Sequence, residues 1–473
     1  MNCIADLHIH SRFSMATAAN LTPEWLDFFA RVKGIQLIGT GDFTHPEWRK
    51  ELLEKLQPAA NGLFSLKKEF RIHQPWVSES DVFFILTSEI SSIYKKAQKT
   101  RKVHTIIMVS EMEIAEKIAS SVQKLGYNTR SDGRPITGID AETVASLAFD
   151  ASDKSIVFPA HVWTPWFSAL GANSGFDSIE ECYGICSDKI HALETGLSSD
   201  SVMNRMCTQL DKYILLSNSD AHSPEKIGRN ATIIKSELDY FKIFTLFEKT
   251  KHDAFSAIDL FPQEGKYHFA GHRACCICLD PVEVLSTRGL CPKCGKHVTL
   301  GVMDRLAMLA DRDEDSARDL VNNNQYIIPL RQILAEIYDV GESTKTIDAH
   351  YQKIIAASGS ELSFLLNTSI DVVQDIAGEV MKEAIRRMRA GQVHVIEGYD
   401  GEYGKVSVFA SHEVGESRLK NIDKETRPSI THFDLKKYNG IVAKQGKFQV
   451  KTIVPKKPKS AKPQDDPMQL SLF

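Results

Sequence analysis

Asp6-Leu7-His8-Ile9-His10 closes the short apolar run Cys3-Ile4-Ala5. Successive side chains of an extended chain point to opposite faces, so Asp6, His8 and His10 project together while Leu7 and Ile9 pack behind them. Two imidazoles at that spacing can hold one ion, and imidazole suits transition metals. Other apolar runs border groups of the same kind. Ile35-Gln36-Leu37-Ile38-Gly39-Thr40 leads to Asp42, Val82-Phe83-Phe84-Ile85-Leu86 to Glu89, and Ile156-Val157-Phe158 to His161. Ile190-His191-Ala192-Leu193 leads to Glu194, Tyr213-Ile214-Leu215-Leu216 to Asp220 and His222, while His104 opens Thr105-Ile106-Ile107-Met108-Val109. A lone buried histidine is usually a hydrogen-bonded core residue, but that explanation does not cover a set recurring at the ends of apolar runs.

Between these runs the periodicity is helical. Thr22-Pro23-Glu24-Trp25 reads as an N-cap followed by proline at the first helical position, and 113–125 is amphipathic and closed by Gly126. Strands alternating with helices up to about residue 225 predict an α/β fold with a parallel sheet or β/α barrel. Catalytic groups of such barrels gather at the C-terminal ends of the strands, so the ligand-type residues are expected to converge on one mouth. Carboxylates such as Glu89 and Asp220 can bridge two cations, which suits a centre of two or three divalent ions (zinc, manganese or magnesium). Such centres polarise a phosphoryl oxygen and activate water for in-line attack.

The remainder of the chain is not barrel-like. A length of 473 residues exceeds what one core usually supports. Of nine cysteines, Cys3, Cys182, Cys186 and Cys207 are scattered and read as small buried residues. Cys275-x-x-Cys278 and Cys291-x-x-Cys294 form two pairs joined by a short loop, the pattern of a structural four-thiolate zinc knuckle, with Cys276 a spectator and Gly295 suited to the tight turn. Residues 301 to about 390 have apolar side chains at helical spacing, and short strands are expected around Gly398-Tyr399-Asp400-Gly401. The organisation expected is a catalytic domain over 1–262, a zinc module over 263–300, a helical α+β DNA-binding region over 301–454 and a flexible tail over 455–473.

The formal charge of -4 argues against wholesale polyanion binding but leaves room for local basic patches. Lys95-Lys96-Ala97-Gln98-Lys99-Thr100-Arg101-Lys102 reads as a basic loop over the metal mouth, with Lys96 and Arg101 as backbone contacts; an ordinary solvated loop is the alternative. Trp163 and Trp166, in Val162-Trp163-Thr164-Pro165-Trp166-Phe167, are placed either to stack on a base or simply to pack. Arg387, in Arg386-Arg387-Met388-Arg389, is a phosphate contact or part of an ordinary basic helix end. With neither a basic segment followed by an apolar stretch at the N-terminus nor a run approaching about 18 apolar residues, a cytoplasmic, membrane-free protein is expected, and a monomer.

Asp6-Leu7-His8-Ile9-His10-Ser11-Arg12-Phe13-Ser14 resembles the first motif of PHP (polymerase and histidinol phosphatase) proteins, and Ser219-Asp220-Ala221-His222 resembles their last. The resemblance implies a PHP-type barrel in which His8, His10, Glu89 and Asp220 surround a first ion and carry catalysis, with Glu89 bridging to a second ion held by His104 and His161. It places His222 at a third ion, with Asp42 or His45 nearby. The chain departs from the pattern at Gly41-Asp42-Phe43-Thr44-His45, where Phe43 stands in place of a ligand. Glu194 is either a ligand or a partner orienting one, and Asp6 a support rather than a ligand.

The PHP motifs, the four-cysteine module, Gly301-Val302-Met303-Asp304-Arg305 and Gly398-Tyr399-Asp400-Gly401-Glu402-Tyr403-Gly404 together resemble the endonuclease Q family. That resemblance implies nicking of DNA 5′ of deaminated bases (uracil, hypoxanthine, xanthine) or abasic sites, leaving 3′-hydroxyl and 5′-phosphate ends. The rival readings are a small-molecule PHP phosphatase and a clamp-associated DNA-binding scaffold with a degenerate metal site. Gln469-Leu470-Ser471-Leu472-Phe473 resembles the peptides that dock into the replicative sliding clamp; Gln469, Leu470, Leu472 and Phe473 would make that contact at the end of a polar tether.

Overall fold

The computed structural model describes residues 2–59, 61–321, 323–410 and 434–445. The tail over 455–473, with its clamp-type peptide, lies outside the described residues.

Each of the seven apolar runs forms a strand, but the sheet is mixed where a parallel barrel is expected. Cys3–Asp6, Leu37–Gly39 and Phe83–Lys96 are parallel neighbours. On one side Phe83–Lys96 continues antiparallel to Lys99–Val109, which pairs antiparallel with Ile156–Pro159. On the other side Cys3–Asp6 pairs antiparallel with Ala231–Ile234 and that strand with Phe255–Leu260. Ala192–Glu194 and Ile214–Leu216 form a separate parallel pair. Single backbone bonds stitch this pair to its neighbours: Val162 N–H donates to Glu194 O (3.0 Å), Asp220 N–H to His8 O (2.9 Å) and His10 N–H to Ala221 O (3.2 Å). These bonds draw the residues that follow four strands into one region.

The basic run 95–102 is not a loop. The two long strands continue through it, Lys96 pairing with Lys99 across Ala97 and Gln98, both at positive φ (51° and 59°). That is the conformation of a two-residue hairpin turn whose twist matches its strands. The ladder places Ser91 opposite His104, and Glu89 lies two residues from Ser91 on the same face. The hairpin register therefore brings Glu89 and His104 together.

Around the sheet the helices bury their apolar faces. Pro23–Lys33 inserts Leu26, Phe28 and Ala30 and is ended by Gly34 at φ 88°. Met112–Lys124 buries Ala115, Ile118 and Val122. Beyond the cysteine module come Leu330–Tyr338, Lys345–Ser358, a π turn at Ser363–Asn367, Ile370–Ala377 and Glu379–Arg389, followed by the hairpin His394–Ile396 with Lys405–Ser407. A strand and a buried ion pair are among the contacts that join this region to the rest of the fold. Gln325–Ile327 adds a parallel strand beside Phe255–Leu260, and Lys33 Nζ lies 2.5 Å from Glu361 Oε2 in a buried ion pair. Glu361 also accepts from Leu330 N–H (3.0 Å) and the Tyr351 hydroxyl (2.5 Å), so the charge is satisfied. Among the described residues no helix is long and apolar enough to cross a membrane.

Candidate metal centre

Two groups of buried donor atoms lie on the sheet strands and on the segments that follow them. His8, His10 and Asp220 form one, and Glu89, His104 and His161 the other, with the donor atoms of each group within 4.8 Å of one another. In the first, His10 Nε2 is 3.0 Å and His8 Nε2 3.5 Å from Asp220 Oδ1. In the second, His104 Nδ1 is 2.6 Å and His161 Nε2 3.4 Å from Glu89 Oε1. Glu89 also touches the first group, Oε1 standing 3.6 Å from His8 Nε2 and Oε2 3.5 Å from His10 Nε2. One carboxylate thus faces both groups. His161 and Asp220 are held at positive φ (28° and 48°), a conformation that non-glycine residues adopt at a cost and that recurs at functional sites.

The donors fit metal ions. Among the described residues His8 Nε2 is buried without a hydrogen-bond partner, the state of a ring nitrogen kept for a ligand. Burial opposes ionisation of both carboxylates, yet His104, Arg134 and His8 hold Glu89 well below the ordinary range, and His8, His10 and His222 do the same for Asp220. Burial pushes His104 down to about 3, leaving a neutral imidazole. His10 goes the other way: burial works to depress it, but Asp220 and Asp42 outweigh that and raise it to about 9. An ion binding there therefore displaces a proton.

Each residue of the first group is held from behind. His8 Nδ1 lies 3.0 Å from both oxygens of Glu194, which also accepts from Asn218 Nδ2 (2.9 Å) and His161 N–H (2.7 Å). Glu194 thus stands at the His8 ring nitrogen opposite the one that faces Glu89 and Asp220. Asp42 does the same for His10, with Oδ1 3.2 Å from Nδ1. Its Oδ2 accepts from Ser11 N–H, Ser11 Oγ and Ser14 Oγ at 2.7, 2.6 and 2.7 Å. Asp6 accepts from Ser219 N–H (3.0 Å) and Gly228 N–H (2.9 Å), fixing the segment that carries Asp220. Glu194→Gln should weaken metal binding by roughly 10–100-fold, measured by chelator competition; unchanged affinity would remove Glu194 from the centre.

Of the residues expected around a third ion, Asp42 and His45 have their polar atoms engaged, while His222 stands beside the first group with Nδ1 3.7 Å from Asp220 Oδ1. Asp42 has its carboxylate filled as described. His45 caps the helix Pro46–Lys55, its Nδ1 accepting from Trp48 N–H (3.4 Å), while Nε2 lies 3.2 Å from Arg130 O and the ring stacks on Phe13 at 4.3 Å. His222 packs on His10 with ring centroids 4.6 Å apart, outside both donor groups. Phe43 is buried.

A third donor group lies in the cysteine module, but its members are His272, Cys275, Cys291 and Cys294. Cys278, expected as a ligand, stands outside it because cross-strand partners share a face. His272 is opposite Ile277 and Gly271 opposite Cys278, so Cys278 projects away from His272, on the side where a Cβ at Gly271 would meet Tyr399. His272-Arg273-Ala274-Cys275 has the same spacing as Cys291-Pro292-Lys293-Cys294, which ends at Gly295 with φ 70°. Three thiolates and one imidazole suit tetrahedral zinc. Cys278→Ser should keep one zinc at this module and His272→Ala should lose it, by metal analysis; the opposite pattern would restore Cys278 as a ligand.

The residues expected to meet DNA are distributed differently. Arg101 is buried, its guanidinium 4.0 Å over the Phe176 ring and bonded to Gly175 O. Lys96 Nζ donates to Glu181 O at 3.0 Å. Trp163 is a core residue whose Nε1 donates to Asn204 Oδ1 (2.9 Å), so no base can stack on it. Trp166 is half-buried, edge-on to Tyr267 at 5.5 Å. Arg387 is buried against Phe409 and donates to Glu383 and Val408 O.

Sequence reading missed the cleft that leads to the centre. Its volume is about 1580 Å³, and its lining includes His161, Asp220 and His222 together with Lys226, Arg229, Lys266, Tyr403 and Lys405 and, from the helical region, Pro329, Arg331, Gln332 and Glu336. Lys266 Nζ lies 4.5 Å over the ring of Tyr403, which is 65% exposed. It also missed Arg134, a buried guanidinium with Nη1 3.2 Å from Glu89 Oε2.

Residues 329–392 match the family model described as the MJ0043 C-terminal domain. The chain is 33% identical over 253 residues to the uncharacterized protein MJ0043 of Methanocaldococcus jannaschii, covering 52% of this chain and 31% of that protein; it therefore spans about a third of that relative's length. It is 28% identical over 416 residues to the uncharacterized protein YqxK of Bacillus subtilis, covering 85% of this chain and 98% of that one. Among solved structures it is similar to the lesion-specific endonuclease PfuEndoQ from Pyrococcus furiosus, with a TM-score of 0.74 and 28% identity over 89% of this chain and 100% of that one. A second similar structure is endonuclease Q in complex with a 27-mer duplex substrate with an abasic lesion at the active site (TM-score 0.74, 28% identity, 90% of this chain and 99% of that one).

Proposed function

We propose that this chain, a structural relative of endonuclease Q over about nine-tenths of its length, is a metal-dependent DNA-repair endonuclease. It nicks the phosphodiester bond 5′ of a deaminated base (uracil, hypoxanthine or xanthine) or an abasic site and leaves 3′-hydroxyl and 5′-phosphate ends. The observation that carries this reading is Glu89, one buried carboxylate in reach of both donor groups, whose members His161 and Asp220 line a cleft. His8, His10 and Asp220, and Glu89, His104 and His161, would hold divalent cations (zinc, manganese or magnesium), which would supply Lewis acidity and an activated water for in-line displacement at phosphorus. Glu194 and Asp42 fix the imidazoles of His8 and His10. Lys226, Lys266 and Lys405 along the cleft offer cations to a phosphate backbone, and Tyr403 offers an aromatic face for an unstacked base.

The cleft's reach to the helical region favours a polymer over a small phosphate ester, and two complete donor groups favour an enzyme over a scaffold. In this reading the protein works in the cytoplasm, and residues 469–473 tether it to the sliding clamp. Deleting them should abolish binding to immobilised clamp while leaving the nicking of short duplexes intact; undiminished binding would dismiss the tether. The catalytic reading is tested with end-labelled duplexes bearing uracil, hypoxanthine, xanthine, an abasic site or no lesion, incubated with each metal. A metal-dependent nick immediately 5′ of the lesion is expected. Equal cutting of undamaged duplex, or release of phosphate from small esters alone, would overturn it.

A further inference from the structure

Arg134 stands beside the centre in a place that no catalytic role in the preceding account uses. Its guanidinium is 2% exposed, with Nη1 3.2 Å from Oε2 of Glu89, the carboxylate shared by both donor groups. The loop that carries it is docked against the centre rather than laid over it. Gly133 N–H donates to Phe13 O at 2.9 Å, Met15 N–H donates to Asp132 Oδ1 at 3.2 Å, and Arg134 N–H donates to the same oxygen at 3.1 Å. Gly133 is required for this approach: a Cβ there would fall 2.3 Å from Asp42 Oδ2 and 2.5 Å from Ser14 Oγ. The loop backbone and the two serines thus close the Asp42 side of the centre, near which the PHP resemblance implies a further ion.

The charges agree with that exclusion. The buried carboxylates that touch the two donor groups, directly or through a ligand imidazole, are Glu89, Asp220, Glu194 and Asp42. Two divalent ions balance these four charges, and Arg134 with the neighbouring Asp132 adds a further balanced pair. A third divalent ion would leave positive charge that these carboxylates do not balance.

We propose that Arg134 is a positioning residue that acts as the centre's built-in third cation: it anchors Glu89 Oε2, and with the Gly133 backbone over Asp42 it limits the centre to two exchangeable ions. The inference rests on the two-metal reading above. It predicts a specific sign: removing the guanidinium leaves the carboxylates under-neutralised, so the divalent ions are held more tightly even though Glu89 loses an anchor. A purely packing role would loosen them.

The test uses the full chain, saturated with manganese, freed of unbound metal and analysed for metal. Two manganese ions per chain are expected; three would overturn the proposal without touching the metal reading, whereas fewer than two would count against the metal reading itself. In Arg134→Gln, the EDTA concentration that strips half the manganese should rise about tenfold, and in Arg134→Lys, which keeps the charge, it should return toward that of the parent. Easier stripping from the Gln variant, or Gln and Lys variants that behave alike, would overturn the proposal. Retention of the cysteine-module zinc reports that each variant is folded, and the manganese count of the parent chain decides the matter if neither variant folds.

Discussion

Asp220→Asn is expected to bind lesion-bearing duplex as the parent does and to nick it at least about 10³-fold more slowly. The substitution keeps size and shape, and the backbone that places residue 220 is held independently of its side chain. Asp220 N–H donates to His8 O at 2.9 Å, and Asp220 O accepts from Arg229 Nη2 at 3.2 Å. What is lost is the negative charge facing His8 and His10. Burial works against that charge, but the surrounding imidazoles hold the carboxyl well below its usual range, so it is ionised at any working pH. A neutral amide there leaves two imidazoles without their anionic partner and weakens the first ion position. Single-turnover nicking alongside fluorescence anisotropy on the same duplex separates chemistry from binding. A parental rate from a metal-replete Asp220→Asn preparation would remove Asp220 from the centre.

Glu89→Gln should have the larger effect on metal content. Asp220 belongs to one donor group, whereas Glu89 lies within 3.6 Å of imidazole nitrogens in both. The Gln variant is therefore expected to lose both ions and all measurable nicking, where Asp220→Asn weakens chiefly one position. It should also be less stable, because Arg134 loses its buried anionic partner; breaking a buried pair from one side costs roughly 3–5 kcal/mol. Metal analysis and urea denaturation measure the two consequences. Retention of both ions would mean that Glu89 is not shared between them.

The residues legible in the sequence were those at the ends of apolar runs. His8, His10, Glu89, His104, His161 and Asp220 carry that signal, since a polar residue bordering an apolar run in a buried region needs a reason for it; the structure gathers these six into two groups, with Glu89 and His104 inside strands that run past them. Sequence adjacency does not say which atoms are already spent. Asp42 and His45 also follow a strand, but two serines and His10 fill the Asp42 carboxylate, and His45 caps a helix. The run 95–102 looked like a loop because it is basic, whereas a two-residue turn at Ala97 and Gln98 lets the ladder continue through it.

Charge misled again at Arg101, which is buried against an aromatic ring, as did aromatic content at Trp163, which belongs to the core. Cys278 took its place in a recognised spacing from which strand alternation removes it, while His272 had no such signal until its hairpin partner was known. Arg134 was illegible for a related reason. It lies in an irregular loop whose Asp-Gly pair marks a turn, and nothing in the linear chain indicates that Gly133 allows that turn to press against Asp42. Strand-end chemistry is local and can be read, whereas contacts delivered by loops depend on the whole tertiary arrangement.

The most direct test of the central claim is anomalous scattering at the metal edge from crystals of the full chain grown with zinc or manganese. Two peaks are predicted outside the cysteine module, one among His8, His10 and Asp220 and one among Glu89, His104 and His161, with the Glu89 carboxylate between them. An absence of peaks there, or a single ion that Glu89 does not contact, would contradict the account.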